Sequence, residues 1–324
     1  ARQWQGFVTS PLVGRPRKFF DGGAGLTELG VQSPESFALK DDGLINRQTG
    51  GESEAIKVLN SFLSDRSREY LQGLSSPLTA WDSCSRLSPY LTYGNISLRR
   101  VYRRVTQRKR ELQRQRGHRD PWSQSLSNYV ERLAWRCHFI QKLEDEPAIE
   151  FDNMNPAFNG LREDEFNTAH FEAWAASRTG YPLIDACMRA LQQTGWINFR
   201  MRAMLISFAS YHLWLHWRQP ALHLARLFTD YEPGIHYSQI QMQAGTTGIS
   251  ALRIYSPVKQ VFDQDPEGKF IRQWVPELMD VPDEFIAEPH QMPEPIQQRS
   301  SCIINRDYPA PIVDHLSAYR AAQK

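Results

Sequence analysis

From Glu52 onward, the apolar positions recur with the spacing of an α-helix. In the segment 52–73 they include Val58, Leu59, Phe62 and Leu63, which fall on one helical face. The same pattern predicts further helices over 97–120, 123–145, 181–195, 198–218 and 220–228. No segment alternates over a length that suits a strand, and no strand–helix–strand rhythm is visible. The pattern therefore predicts an all-α domain.

Glycine and proline mark the ends of these elements. Gly73 and Gly195 follow periodic segments, and we expect Gly195 to adopt a left-handed conformation there. Pro220 is predicted to end the helix over 198–218, because its ring cannot continue a helical ladder. Residues 1–50 are rich in glycine and polar residues and lack helical periodicity. We therefore divide the chain into an arm or linker over 1–50 and a helical domain over 51–324.

Composition restricts the class of protein. The 324 residues are 41% hydrophobic, which is enough for a globular core. The four cysteines, Cys84, Cys137, Cys187 and Cys302, lie far apart, without metal-ligand spacing or a disulfide framework. No apolar run approaches the length of a membrane span, and residues 1–20 do not resemble a signal peptide. We expect a cytoplasmic monomer with reduced thiols, no bound metal and no membrane segment.

Two further features admit two interpretations each. The segment 97–120 holds ten Lys and Arg residues but only two acids, Glu111 and Asp120. Such a helix is either a solvated face or a surface that contacts phosphates. The nine Trp residues either fill a helical core or surround a flat ligand and stack on bases.

The tetrapeptide Ser85-Arg86-Leu87-Ser88 lies just ahead of a predicted helix. Helix N-termini carry unpaired backbone N–H groups, so two hydroxyls and a guanidinium could complete a site for phosphate or pyrophosphate. An ordinary helix cap with a surface arginine has the same sequence.

Candidate chemistry also occurs later in the chain. Asp230 and Glu232 flank Tyr231, and Pro233-Gly234 predicts a turn that opens a loop over 228–248. This loop either lets a planar ligand approach the backbone or is an ordered surface loop. Arg200 and Arg202 lie in a very apolar helix, where arginine needs a partner such as Asp230.

Several motifs occur in one order: SRLSPYL, TGYPLIDACMRALQQTGW, RLFTDYEPG and GKFIRQWVPEL. Together they resemble the flavin-binding half of the photolyase/cryptochrome family, from about Gly50 to the C-terminus. The resemblance implies an all-helical FAD-binding domain without the family's N-terminal antenna domain. It also implies a light-driven flavoprotein.

The resemblance carries residue roles to this chain. Cys84 to Ser88 would match the family's phosphate-contacting stretch, with Cys84 in place of a threonine. Arg202 and Asp230 would be the ion pair beside the isoalloxazine, and His236 would face flavin N5, where photolyases usually have asparagine; a register shift of one would put Tyr237 there. The implied FAD contacts are Tyr70, Cys84, Ser85, Arg86, Leu87, Ser88, Arg136, Arg202, Asp230, Tyr231, Glu232 and His236.

The lesion pocket and the electron route depart from the family pattern. Trp135 matches a tryptophan that stacks on the lesion, and Arg200 matches an arginine near its phosphate. At four other pocket positions this chain lacks the residue that the family usually has. It has Arg132 in place of glutamate, Phe199 in place of asparagine, Ala203 in place of methionine and Met242 in place of tryptophan. Glu131 could replace the missing acid.

Of the family's three electron-transfer tryptophans, only the middle one, Trp217, remains. Ile240 and Asp164 stand at the other two positions, and Trp214 offers another hopping step. The resemblance thus implies a photolyase that repairs pyrimidine dimers in UV-damaged DNA, with Trp135, His236, Arg202 and Asp230 in the reaction. The alternative is a cryptochrome-like blue-light receptor without repair activity.

Overall fold

The computed structural model describes residues 2–12, 43–249 and 253–323, which form helices joined by short turns. Among these residues there is no β-strand, only an isolated bridge between Ile304 and Tyr308. The first half contains α1 Arg2–Thr9, α2 Glu52–Ser64, α3 Tyr70–Gly73, α4 Pro77–Ser83, α5 Ser88–Thr92, α6 Leu98–Arg116 and α7 Pro121–Asp145. The second half contains α8 Thr168–Ala175, α9 Pro182–Thr194, α10 Phe199–Ser207, α11 Arg218–Leu227, α12 Pro233–Ala244, α13 Pro257–Gln264, α14 Lys269–Trp274, α15 Glu294–Arg299 and α16 His315–Ala322. The all-α prediction is confirmed.

Two apolar clusters hold the helices together. The smaller one joins α2, α6 and α7 through residues such as Phe62, Val105 and Leu126. The larger one surrounds α9 and α10, which are almost entirely buried. Helix α12 runs against α7 at Gly234, where a Cβ would lie 2.7 Å from Ile140 Cα. Glycine at this position therefore permits the close approach that brings residues of α7 next to the start of α12.

Several predicted helices occur with small shifts of their ends. The segment 97–120 is α6, which ends before Gly117, and 123–145 is most of α7. The segment 181–195 is α9, and Gly195 follows it with a φ of 68° in the left-handed region, as predicted. The segment 52–73 is divided, because a short 3-10 helix at Arg66–Arg68 separates α2 from α3.

The segment 198–218 is not one helix. Helix α10 ends at Ser207, a π-helical turn covers Phe208–His212, and Trp214 has a φ of 54°. The prediction that Pro220 ends this helix is wrong. Pro220 lies in the first turn of α11, where a missing N–H leaves no helical hydrogen bond unmade.

The predicted loop over 228–248 is also largely wrong, because α12 occupies most of it. Pro233 is the first residue of α12 and favours the helix instead of breaking it. Most of the predicted arm over 1–50 lies outside the described residues. The part that is described includes α1, which packs on α6 through Trp4 and Tyr102. The boundary at residue 50 stays a prediction.

Candidate functional site

The turn between α4 and α5 has the backbone of an anion-binding nest. Arg86 has a φ of 59°, in the left-handed region, and Leu87 follows in the right-handed region with φ −93° and ψ −7°. Alternation between these regions turns successive N–H groups, here those of Arg86, Leu87 and Ser88, toward one concavity. Helix α5 has only five residues, so these amides, more than a helix dipole, make the anion site.

The side chain of Arg86 extends this site. Its guanidinium lies 3.8 Å from the ring centroids of both Trp81 and Trp196, and the residue is only 7% exposed. Burial lowers the pKa of Arg86 to about 9, and Asp230 only partly opposes this shift. Its Nη1 atom is buried and has no hydrogen-bond partner among the described residues. An unpartnered buried donor of this kind fits a bound anion such as a pyrophosphate.

Asp230 pairs with Arg202 directly beside the nest. Two hydrogen bonds of 2.9 Å join the guanidinium to both carboxylate oxygens, and Arg202 Nε also donates to Ile197 O at 2.8 Å. Burial alone would raise the pKa of Asp230, but Arg202 and a hydrogen bond from Ser88 lower it below its ordinary value. Asp230 is therefore an anion at neutral pH, and Ser88 connects it to the nest.

A second arginine–carboxylate pair lies two residues further along the chain. Arg136 Nη2 is 3.1 Å from Glu232 Oε2, and both side chains are largely buried. The same nitrogen donates to Leu91 O at 3.4 Å, near the end of α5. The structure thus brings Arg136, from α7, and Arg202, from α10, to adjacent carboxylates.

Tyr70 and Cys84 line the other side of the turn. The Tyr70 ring packs edge-on against Phe62 and Tyr129, with centroids 5.8 and 5.6 Å away. Burial raises the pKa of Tyr70 and raises that of the Cys84 thiol to about 11. Cys84 is therefore a neutral thiol, a weaker donor than the threonine hydroxyl it would replace.

His236 has a defined tautomer. Its Nε2 lies 2.9 Å from Ala221 O, and a carbonyl oxygen only accepts, so Nε2 carries the proton. Burial lowers the pKa of His236 to about 4, which keeps the ring neutral at pH 7 with Nδ1 as an acceptor. The ring packs edge-on against Tyr231 at 5.2 Å, and the Tyr231 hydroxyl donates to the Tyr237 hydroxyl at 3.4 Å.

Two exposed aromatic rings lie close to these arginines in the sequence, with Trp135 directly before Arg136 and Phe199 three residues before Arg202. Trp135 on α7 is 51% exposed, and Phe199 on α10 is 47% exposed. The Arg132 guanidinium lies 5.8 Å from the Phe199 ring and hydrogen-bonds to the Tyr70 hydroxyl. Arg132, Phe199 and Arg200 therefore lie at what we call the mouth of the site, whereas Trp135, on the same helix as Arg132, lines a cleft with Gln3, Trp4 and Gln5 of α1.

Two other residues predicted to contact the lesion, Arg200 and Met242, are only partly exposed. Arg200 is partly buried, and its Nε has no partner among the described residues. Met242 is partly buried on α12 and cannot supply the flat aromatic surface of a tryptophan.

The two tryptophans assigned to electron transfer occupy different surroundings. Trp217 is fully buried, and its indole N–H donates to Asn153 Oδ1 at 2.7 Å. Its ring lies 6.3 Å from that of Tyr237, which in turn lies 6.5 Å from Tyr231. Trp214 packs against the Arg162 guanidinium at 4.6 Å. The Tyr237 ring thus lies between those of Trp217 and Tyr231.

The arginines of α6 largely bind other parts of the chain. Arg103 donates to the carbonyls of Thr9 and Ser10, Arg104 to Asn60 and Arg108 to Leu63. These bonds tie α1 and α2 to α6, which favours a structural role for this part of the basic segment. Arg110 and Arg114 are exposed.

Sequence reasoning missed Trp81 and Trp196, which enclose Arg86. They are far apart along the chain, and neither carries a local signal that would connect it to the tetrapeptide. In the part of the chain that the structure describes, no helix is long and apolar enough to cross a membrane, and no group of three or more His, Cys, Asp or Glu side chains could hold a metal ion.

Comparison with known proteins identifies the same domain. A family model described as the FAD binding domain of DNA photolyase matches residues 129–324. A deoxyribodipyrimidine photo-lyase of Alkalihalophilus pseudofirmus is 33% identical over 271 residues, which are 82% of this chain and 53% of the relative. The chain spans about half the length of the curated relatives it matches.

Two solved structures have the same fold. A bacterial class III photolyase from Agrobacterium tumefaciens aligns with a TM-score of 0.76 and 28% identity, over 85% of this chain and 55% of the photolyase. A cryptochrome from Synechocystis aligns with a TM-score of 0.76 and 27% identity, over 88% of this chain and 58% of the cryptochrome. The nest and the unpartnered Arg86 Nη1 fit the pyrophosphate of FAD.

Proposed function

Because the chain belongs to the photolyase/cryptochrome family, we propose that it is a light-driven flavoprotein that repairs cyclobutane pyrimidine dimers in UV-damaged DNA. When bound, FAD supplies the absorption of blue light and the electron that opens the dimer. The contributions of the chain are to hold this cofactor, to keep water away from it and to position the damaged bases.

The buried half of the site would hold the cofactor. The amides of the nest and the Arg86 guanidinium would donate to the pyrophosphate. The Arg202–Asp230 and Arg136–Glu232 pairs would fix polar groups next to the flavin ring. Both guanidinium groups are already oriented by carboxylates, so they need little rearrangement when the cofactor binds.

The observation that supports repair most strongly is the exposure of two aromatic rings, those of Trp135 and Phe199. Both rings lie on the helices that also carry Arg136 and Arg202, whose guanidinium groups are paired at the proposed cofactor site. A pyrimidine dimer that leaves the DNA stack could pack on these rings, while Arg132 and Arg200 would attract the phosphates next to it. Because damage weakens stacking, such extrusion is least costly at a dimer.

One observation favours the second candidate, a cryptochrome-like photoreceptor without repair activity. This chain has Arg132, Phe199 and Met242 where the repair enzymes of the family have a carboxylate, an amide and a tryptophan. A pocket without these groups would bind a dimer more weakly, and the similarity to a cryptochrome is as strong as that to a photolyase.

A repair assay distinguishes the two candidates. The purified protein, with its flavin reduced, is mixed with an oligonucleotide that carries one cyclobutane thymine dimer and is kept in blue light or in the dark. We expect light-dependent restoration of the thymines and a much lower yield for Trp135→Ala. If no thymine is restored while FAD is bound and reduced, and a (6-4) photoproduct is also left intact, the photoreceptor is the better description.

A further inference from the structure

One guanidinium outside the SRLS tetrapeptide binds the backbone that leads into the nest. Arg66, in the short helix between α2 and α3, donates from Nη1 to the carbonyls of Asp82 and Cys84, at 3.3 Å for Asp82. Its Nη2 donates to Val58 O at 3.1 Å and to Ser85 O at 3.3 Å. Its Nε donates to Ser61 Oγ at 3.0 Å. All five N–H groups of this side chain therefore have an acceptor.

These bonds determine the direction of the peptide planes. In a trans peptide the C=O of one residue and the N–H of the next point in opposite directions, and the described chain has no cis peptide. Because Ser85 O points to Arg66, the N–H of Arg86 points the opposite way, into the nest. Cys84 O, also bound by Arg66, orients the preceding plane in the same manner.

The other two peptide planes of the nest are fixed by hydrogen bonds from Gln48 and from Leu91. Gln48 Nε2 donates to Arg86 O at 3.0 Å, which turns the N–H of Leu87 to the opposite side, where it also donates to Ser85 Oγ at 3.3 Å. The N–H of Leu91 donates to Leu87 O at 3.0 Å within α5, which turns the N–H of Ser88 inward. Each of the three nest amides thus depends on one carbonyl bond made outside the nest.

We propose that Arg66 and Gln48 are positioning residues that preorganise the nest for the pyrophosphate of FAD. Neither side chain needs to touch the cofactor, because each acts through the carbonyl that it binds. Without these bonds the peptide planes on either side of Arg86 could rotate, and two of the three amides would leave the site. The inference rests on the assignment of this turn to the pyrophosphate and does not require the repair reaction.

Lysine cannot replace Arg66 in this role. Its ammonium group has three donors at one point, whereas the five acceptors of Arg66 belong to two segments, 58–61 and 82–85. Arg108 provides a matched control. It also binds a backbone carbonyl, that of Leu63 at 3.2 Å, packs on Trp122 and pairs with Glu111, and none of these partners belongs to residues 82–88.

The test compares two flavins on the flavin-free protein. FAD carries the pyrophosphate and riboflavin does not, and the Kd of each is measured by titration for the wild type, Arg66→Lys, Arg66→Ala, Gln48→Leu and Arg108→Ala. We expect the Arg66 variants to raise the Kd of FAD about tenfold or more, since charge-assisted hydrogen bonds are lost, and Gln48→Leu about threefold. The Kd of riboflavin should change less than about twofold, and Arg108→Ala should leave both unchanged. Millimolar guanidinium ion should restore FAD binding to Arg66→Ala.

Two results would overturn the proposal. One is equal weakening of FAD and riboflavin by the Arg66 and Gln48 variants, which would make both residues general supports of the fold. The other is an unchanged preference for FAD in all of these variants. If Arg86→Met also leaves the preference unchanged, the assignment of the turn itself fails. If Arg86→Met abolishes it, only the positioning role is wrong. Thermal unfolding of each flavin-free variant shows whether it is folded, and Gln48→Leu tests the idea separately if the Arg66 variants do not fold.

Discussion

Lowering the pH from 7 to 5 should destabilise the flavin-free protein through two buried histidines. His236 is 8% exposed and donates its Nε2–H to Ala221 O, and His212 is 4% exposed and lies 2.9 Å from a nitrogen of His315. Burial lowers the pKa of His236 to about 4 and that of His212 to about 3. Arg202 lowers the His236 pKa further, while Asp230 opposes it.

The sign and the size follow from these pKa values. In the unfolded chain both rings take up a proton near pH 6.5, whereas in the folded protein they stay neutral until the pH falls to about 4 and about 3. Between pH 6.5 and these lower pKa values, the unfolded state binds more protons than the folded state. The free energy of unfolding therefore decreases as the pH falls below 6.5, whereas above pH 6.5 this contribution to stability is fully retained. From pH 7 to 5 each histidine removes about 2 kcal/mol, or about 4 kcal/mol together. This is a large part of a typical domain stability of about 5–15 kcal/mol.

The assay is urea denaturation of the flavin-free protein at pH 7 and pH 5. His236→Asn removes one titrating ring but keeps a side chain that can donate to Ala221 O. We therefore expect this variant to lose about 2 kcal/mol less than the wild type between the two pH values. His118→Asn, at an exposed histidine, is the control and should behave like the wild type. If His236→Asn shows the same pH dependence as the wild type, His236 is not a buried neutral ring and the argument fails.

Three further substitutions test the site. Arg86→Met should raise the Kd of FAD about tenfold to a hundredfold, since a charged donor to the pyrophosphate is lost; undiminished flavin content after purification would contradict this. Trp135→Ala should weaken binding of a dimer-containing oligonucleotide about tenfold while leaving bound FAD unchanged; loss of the flavin would show that Trp135 supports the fold instead. Trp217→Phe should slow the photoreduction of bound flavin, followed by its absorbance, while Trp214→Phe should slow it less, because Trp217 is the one that contacts Tyr237; equal rates in both would exclude this route.

Helical periodicity predicted the fold class and most of the longer helices, but it failed within the segment 198–218. Most of its residues are apolar and buried, so its pattern does not change at the π-helical turn over Phe208–His212 or at Trp214. Only a change in periodicity could have revealed the break. The position of Pro220 was misleading for a related reason, because proline is compatible with both the end of one helix and the first turn of the next.

The error over 228–248 has a different cause. Pro-Gly is a common turn signal, yet here Pro233 begins α12 and Gly234 permits contact with α7. Tertiary packing determined this glycine, and local sequence carries no trace of the partner helix. The charged residues of the same stretch were easier to interpret. A buried arginine needs an anion, and Asp230 pairs with Arg202 as expected.

The SRLS tetrapeptide shows why a short motif carries so little information alone. Its serines and arginine supply the donors, but the direction of its amides depends on carbonyl bonds from Arg66, Gln48 and Leu91. Its arginine is held between Trp81 and Trp196, which come from elements far apart in the chain. The same four residues in a chain without these partners would be free to form an ordinary helix cap. The anion site is therefore a property of the fold around the tetrapeptide, and substitutions outside it, at Arg66 or Gln48, should also weaken FAD binding.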